Sequence, residues 1–174
     1  MAKKSEEKTL FRRIGDLLFK EGLEYGHLNP IVVGTHTSYL VHDDVEEVGG
    51  HWISIHFREN LGQLSKIGSW RKRGMIFLRA IEIDLHLLSK ELKEGSLRDI
   101  GMIIGLTGLS ASWGERHGFT TWPYPIGEDL IRIHNDSIVG NPNNEKGQIN
   151  PLNLFFFAPQ GFINEFYKED LSRA

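Results

Sequence analysis

The sequence predicts an α/β (α+β) fold, one domain in which a mixed central β-sheet is covered by helices. Three observations carry this. Two long stretches, about 5–21 and Met75 to Glu94, repeat apolar residues at helical spacing. Several short runs alternate with the two-residue period of strands, and Gly, Asp and Asn punctuate the joins. At 174 residues the chain reads as a single domain, 1–174, burying roughly two-thirds of its unfolded surface.

In the first stretch Leu10, Phe11, Ile14, Leu17 and Leu18 form one face, with charges opposite and Gly22 as a stop. Mixed charge on the wet face favours covering a sheet over lying on a membrane. Three β-like runs follow at Ile31 to Val33, Ser38 to Val41 and His51 to Phe57. In the last, Ile53, Ile55 and Phe57 share one face and Trp52, Ser54 and His56 the other, the pattern of a half-buried strand. A polar, glycine-punctuated stretch, 58–73, leads into the longest helical signal. There Met75, Leu78, Ile81, Leu85, Leu88 and Leu92 make an apolar stripe, widened by Ile76, Ala80, Ile83 and Leu87. Arg79, Glu82, His86, Lys90 and Lys93 make its wet edge, and Gly95 ends it.

Ile100, Met102, Ile104 and Leu106 alternate with small residues, as in an interior strand paired on both sides. Thr107 is placed to N-cap a short helix anchored by Leu109 and Trp113. Gly118 is placed at positive φ to turn Phe119 back into the core. A helix near Glu128 to Asn135, a polar loop at 139–150, a strand at Leu152 to Ala158 and a helix at Gln160 to Asp170 complete the chain.

A net charge of -3 speaks against a dedicated nucleic-acid binder, and zero cysteines exclude a disulfide framework, a zinc ribbon and a thiol nucleophile. The longest uncharged run, Gly147 to Asn164, is broken by Pro151 and Pro159, so no transmembrane segment is expected and a cytoplasmic protein is the default. Eight histidines invite a metal. However, His51 and His56 point to opposite faces of a strand, His36 and His42 lie far apart, and no HExxH is present, so no metal site is expected; His42 with Asp44 is the nearest same-face pair. The serine elbow, Walker A loop and GxGxxG are likewise missing.

Two places remain for chemistry. Ser69-Trp70-Arg71-Lys72-Arg73-Gly74 opens the long helix with three cations and free amides, which suits a phosphate or simply a solvated basic loop. His56, at the end of its strand, is a candidate general base or a hydrogen-bonded strand-end histidine. Thr107 either faces a substrate or makes a tight turn.

Several motifs then line up. They are Gly49-Gly50 before Ile55-His56-Phe57 and Asn60, Gly105-Leu106-Thr107-Gly108-Leu109, Arg116-His117-Gly118-Phe119, Leu154-Phe155-Phe156-Phe157-Ala158, and Phe162-Ile163-Asn164-Glu165-Phe166-Tyr167. Over roughly Thr37 to Tyr167 this resembles the YkoP-like family of bacterial domains, which stand alone or are fused to polysaccharide deacetylases. The family's Leu-His-Leu before Asn-Asn reads Ile55-His56-Phe57-Arg58-Glu59-Asn60 here. The order strand, basic glycine loop, long helix, strand, short helix, strand is also similar to GNAT acyltransferases. In these an Arg/Gln-x-x-Gly-x-Gly/Ala loop holds the pyrophosphate of acyl-CoA; this chain matches at Arg71 and Gly74 and departs at Ile76.

The resemblances imply two functions. One is a CoA-dependent acyltransferase acting on an amine or sugar, with His56 as base and Arg71, Arg73, Gly74 and Thr107 holding acyl-CoA. The other is a non-catalytic accessory domain of envelope-polysaccharide metabolism that binds a saccharide or a protein, with Trp52, Trp113, Trp122 and Tyr124 available for sugar stacking.

Overall fold

Helix α1 (Ala2–Leu23) opens the computed structural model, which describes residues 2–43, 50–57, 68–138 and 150–169. A 3-10 turn (Tyr25–His27) leads to strands β1 (Ile31–Val33), β2 (Thr37–His42) and β3 (His51–Phe57). Helix α2 (Trp70–Lys93), strand β4 (Ile100–Thr107) and helix α3 (Ala111–Arg116) follow. Then come strand β5 (Thr120–Pro123), helix α4 (Glu128–Ile138), strand β6 (Asn153–Phe157) and helix α5 (Pro159–Phe166). The expected order of elements is therefore the observed one. Readings that fell on Asp44, Gly49, Asn60 and the 139–149 loop lie outside the described residues.

The strands form one six-stranded mixed sheet in the spatial order β1-β2-β3-β4-β6-β5. Pairing is antiparallel everywhere except β3 with β4, which are parallel because α2 carries the chain back across the sheet between them. β4 is thus interior and paired on both sides, as its alternating glycines foretell.

The two-residue period of the strands sorts the core into two layers. Ile53, Ile55 and Phe57 of β3, Ile103 of β4, and Phe155 and Phe157 of β6 meet Ile81, Leu85 and Leu88 of α2, Trp113 of α3 and Phe162 of α5. Trp52, Ile104, Leu106, Leu154 and Phe156 meet Ile14 and Leu18 of α1 and Ile131 of α4 on the opposite face. β3 is therefore buried on both faces from Trp52 on, not half-buried, because α1 covers the face that carries its polar residues.

The apolar stripe of α2 is narrower than its composition suggests. Met75, Ile76, Ile83 and Leu87 are exposed, while His86, read from sequence as part of the wet edge, is buried against the end of α5. Ser69 caps α2, its Oγ accepting from the Lys72 amide at 3.5 Å, so the helix starts five residues before Met75. Gly22 does not stop α1, which runs on to Leu23. Thr107 does not cap α3. Its Oγ1 accepts from the Leu109 amide at 3.2 Å, and Ser110 takes the cap with the Trp113 amide at 3.3 Å.

Gly118 ends α3 as the sequence requires. Its φ is +79°, its amide donates to the Glu115 carbonyl at 3.1 Å, and the Phe119 amide donates to the Gly114 carbonyl at 2.9 Å. This is the Schellman arrangement, and it delivers Phe119 into the aromatic core. A Cβ at 118 would lie 3.0 Å from the Phe157 ring. Gly118→Val is expected to lower unfolding free energy by more than ~1 kcal/mol, the scale of a forced left-handed residue. An unchanged denaturation midpoint would contradict the assignment.

Candidate active site at the carboxyl ends of the parallel strands

The antiparallel register of β2 and β3 sets Ser38 opposite His56, Leu40 opposite Ser54 and His42 opposite Trp52. Directly opposed residues share a face, so Ser38, His42, Ser54 and His56 all point toward α1. On α1 the buried stripe of Ile14 and Leu18 continues with Glu21, a further turn along. The helix therefore sets a carboxylate down among the imidazoles.

Glu21 is 8% exposed and is the hub of the cluster. Its Oε1 takes hydrogen bonds from Ser54 Oγ and His56 Nε2, and its Oε2 lies 3.0 Å from His42 Nε2. His42 Nε2 is also 2.9 Å from Ser54 Oγ, and its ring stacks on Trp52 at 3.8 Å. Tyr25 hydrogen-bonds Ser38 and rests its ring against His56 at 5.1 Å. Burial pushes the Glu21 carboxyl up, but the hydrogen bonds from His42, His56 and Ser54 and the electrostatic pull of the His56 ring outweigh it and hold the group at about 2. Glu21 is thus a fixed anion.

A Glu–His pair of this kind can orient an imidazole for proton transfer. Glu21 occupies Nε2 of His56, and Nδ1 is buried with no hydrogen-bond partner among the described residues. The residue as a whole is 3% exposed.

Beside this cluster the pairing of the two parallel strands ends. Their register closes at Ile55 with Gly105. β3 continues to Phe57, still paired with Thr37, and β4 continues to Thr107, still paired with Asn153. The last two residues of each strand therefore lie beyond the last paired position. Phe77 of α2 lies edge-on to His36 at 5.3 Å, next to the Thr37–Phe57 pair, so α2 begins at this same end of the sheet.

The sequence-predicted residues fall as follows. His56 ends β3 on the α1 face. Thr107 ends β4, the neighbouring strand, where its hydroxyl closes a turn. Arg71, Arg73 and Gly74 lie in the first two turns of α2, on the other side of the sheet, and are helical and not a loop. The Arg73 amide already bonds the Ser69 carbonyl at 2.9 Å and the Lys72 amide the Ser69 hydroxyl, so the amides ahead of both are those of Trp70 and Arg71. A Cβ at Gly74 would meet nothing within 4 Å among the described residues. Trp52, Trp113 and Tyr124 are core residues, which leaves Trp122 as the one half-buried ring of the four.

Two buried acids were not singled out from sequence. One is Glu21. The other is Asp84 of α2, whose carboxylate accepts the Thr35 amide at 2.9 Å and the His36 amide at 2.6 Å in the β1–β2 turn. Both lie on the apolar stripes of their helices, between Leu18 and Tyr25 and between Ile81 and Leu88, and that position is the signal that could have found them.

Among the described residues no three His, Cys, Asp or Glu side chains are grouped to hold a metal ion. No described helix is long and apolar enough to cross a membrane. Comparison with family models, with curated proteins and with solved structures finds no match to this chain.

Proposed function

We propose that this chain is a CoA-dependent acyltransferase acting on an amine or sugar. The observation that carries the reading is that the pairing of β3 with β4 ends at Ile55 with Gly105, before either strand ends, at the end of the sheet where α2 begins. A crevice at the carboxyl ends of parallel strands is where α/β sheets commonly take ligands. Two strand ends that stop pairing offer backbone donors and acceptors to an extended arm carrying amides, and CoA has such an arm. The amides at the start of α2, with Arg71 and Arg73, would take its pyrophosphate. The arrangement agrees with the element order on which the acyltransferase resemblance rests.

In the reaction the proton of the acceptor N–H or O–H passes to His56, whose imidazole Glu21 orients and stabilises when charged. The acceptor atom bonds to the acyl carbon, the C–S bond breaks, and the departing CoA sulfur is protonated. Specificity for amine or sugar lies with groups that line the acceptor side.

One observation favours the second reading, a non-catalytic accessory domain tied to polysaccharide metabolism as the YkoP-like resemblance implies. His56 is enclosed, and its bond to Glu21 is explained by structural need alone.

Calorimetry with CoA and acetyl-CoA separates the two. Binding by wild type that weakens with added salt, and that falls at least tenfold in Arg71→Ala/Arg73→Ala, supports the enzyme. Each charge-assisted bond contributes roughly 1.5–3 kcal/mol. Arg71 and Arg73 both make interactions within the protein, so the melting transition of the double variant is measured alongside to separate lost binding from lost fold. No heat up to millimolar CoA, with a thermal shift produced by oligosaccharides, would assign the accessory role.

A further inference from the structure

On the face of the sheet away from His56, a cleft of about 500 Å³ opens between α2, the end of α3 and α5. Its floor is Ile83 and Phe166, and its rim carries Arg79, His86 and Lys168. Two acids also line it, and both are already engaged. His117 places Nε2 at 3.3 Å from Glu82 and Nδ1 at 3.2 Å from Glu165, so one imidazole ties the two carboxylates together.

The cations are not engaged in the same way. Among the described residues the side chains of Arg79 and Lys168 make no ion pair or hydrogen bond, and the acids nearest to them in the cleft are held by His117. His86 is 9% exposed and fixed through Nδ1, 3.0 Å from the Phe166 carbonyl and 3.2 Å from the Lys168 amide. Nδ1 faces both backbone groups and serves one at a time, donating to the carbonyl or accepting from the amide, so Nε2 is the atom left for the cleft. With Glu82 and Glu165 tied to His117, the groups that remain to meet a ligand around the aliphatic and aromatic floor are Arg79, Lys168 and one imidazole nitrogen of His86.

We infer that this cleft is a binding site for a small organic anion, a carboxylate or phosphate group carried on a planar apolar body. The oxyanion pairs with Arg79 and Lys168 by charge-assisted hydrogen bonds, Arg79 in a two-pronged fashion that its fork allows. The apolar body lies on Ile83, beside the small part of Phe166 that reaches the cleft. That contact also accounts for a large aliphatic side chain left 47% exposed in the middle of α2. The site is distinct from the one in the acyl-transfer reading: the sheet separates it from His56, and Arg79, Ile83 and His86 lie further along α2 than Arg71, Arg73 and Gly74.

The test is a nuclear magnetic resonance titration of the full chain with benzoate and with phenyl phosphate. Benzylamine and inorganic phosphate serve as controls. Saturable shifts at His86, His117 and Phe166 with either aromatic anion, at concentrations where both controls leave these signals in place, are the expected result. Which of the two binds tells carboxylate from phosphate. Arg79→Glu/Lys168→Glu, both at exposed positions, should raise the dissociation constant at least tenfold, whereas Glu82→Gln/Glu165→Gln should leave it unchanged or lower it. The proposal is overturned if neither aromatic anion saturates, if benzylamine or inorganic phosphate matches them, or if charge reversal leaves the affinity unchanged.

Discussion

Glu21→Ala is expected to lower the unfolding free energy by about 3–5 kcal/mol, the range for removing one partner of a buried ion pair. The carboxylate is the common partner of His42, Ser54 and His56. Without it, buried polar groups face a cavity beneath α1. Loss of the anion should also change the response to acid. A carboxyl held at about 2 in the folded protein, below its ordinary value near 4.5, contributes stability that is fully present above the ordinary value. That contribution is lost as pH falls toward 2. The linkage amounts to roughly 3 kcal/mol. Urea denaturation of wild type between pH 6 and 2.5 should show a fall in stability that Glu21→Ala lacks. Parallel curves for the two proteins, or a loss below 1 kcal/mol at neutral pH, would remove Glu21 from the centre of the cluster.

Asp84→Ala should cost about 3 kcal/mol. Two amides, of Thr35 and His36, lose an ionised acceptor, and hydrogen bonds to charged groups contribute roughly 1.5–3 kcal/mol each before any local relaxation. The turn they belong to sits at the edge of the sheet, where β1 is a three-residue strand paired with β2. Gly34 shares this dependence: its φ is +65° and a Cβ there would run into the Asp84 carboxylate. Gly34→Ala should therefore destabilise in wild type, and by less in the Asp84→Ala background, where the obstruction is gone but the backbone strain persists. Fully additive losses in a double-mutant cycle would show that the carboxylate does not seat the turn.

Much of this fold was legible because period and punctuation agree. The helix ends at Gly95 and Gly118 and the interior position of β4 all follow from glycines set against apolar spacing. The misreadings share a cause, which is that a pattern tells which residues are alike but not which side of them is covered. Ile83 and Leu87 looked like core and are exposed, whereas His86 looked wet and is buried under the end of α5. Ser54 and His56 looked like the solvent side of a strand, yet α1 lies over them. Long-range cover of this kind leaves no local trace. Of the candidate site, His56 and the start of α2 could be found from sequence. Glu21 could have been, had a single acid on an apolar stripe been taken as a sign of a buried partner.

The spatial order of the sheet also dictates a schedule for the growing polypeptide. Synthesis makes β5 before β6, but in space β6 lies between β4 and β5. While the ribosome is still working through the α4 region, β4 has a partner on one side only. Its open edge, Ile103 to Thr107, is apolar, and β5 has no strand to join. At a pace of about 5–20 residues per second this vulnerable interval lasts seconds, long compared with hairpin formation. Strand edges of that kind recruit stray strands from other molecules. Arrival of Asn153–Phe157 closes the gap and fastens β5 in one step, so the second half of the sheet is completed by a segment made near the end of the described chain.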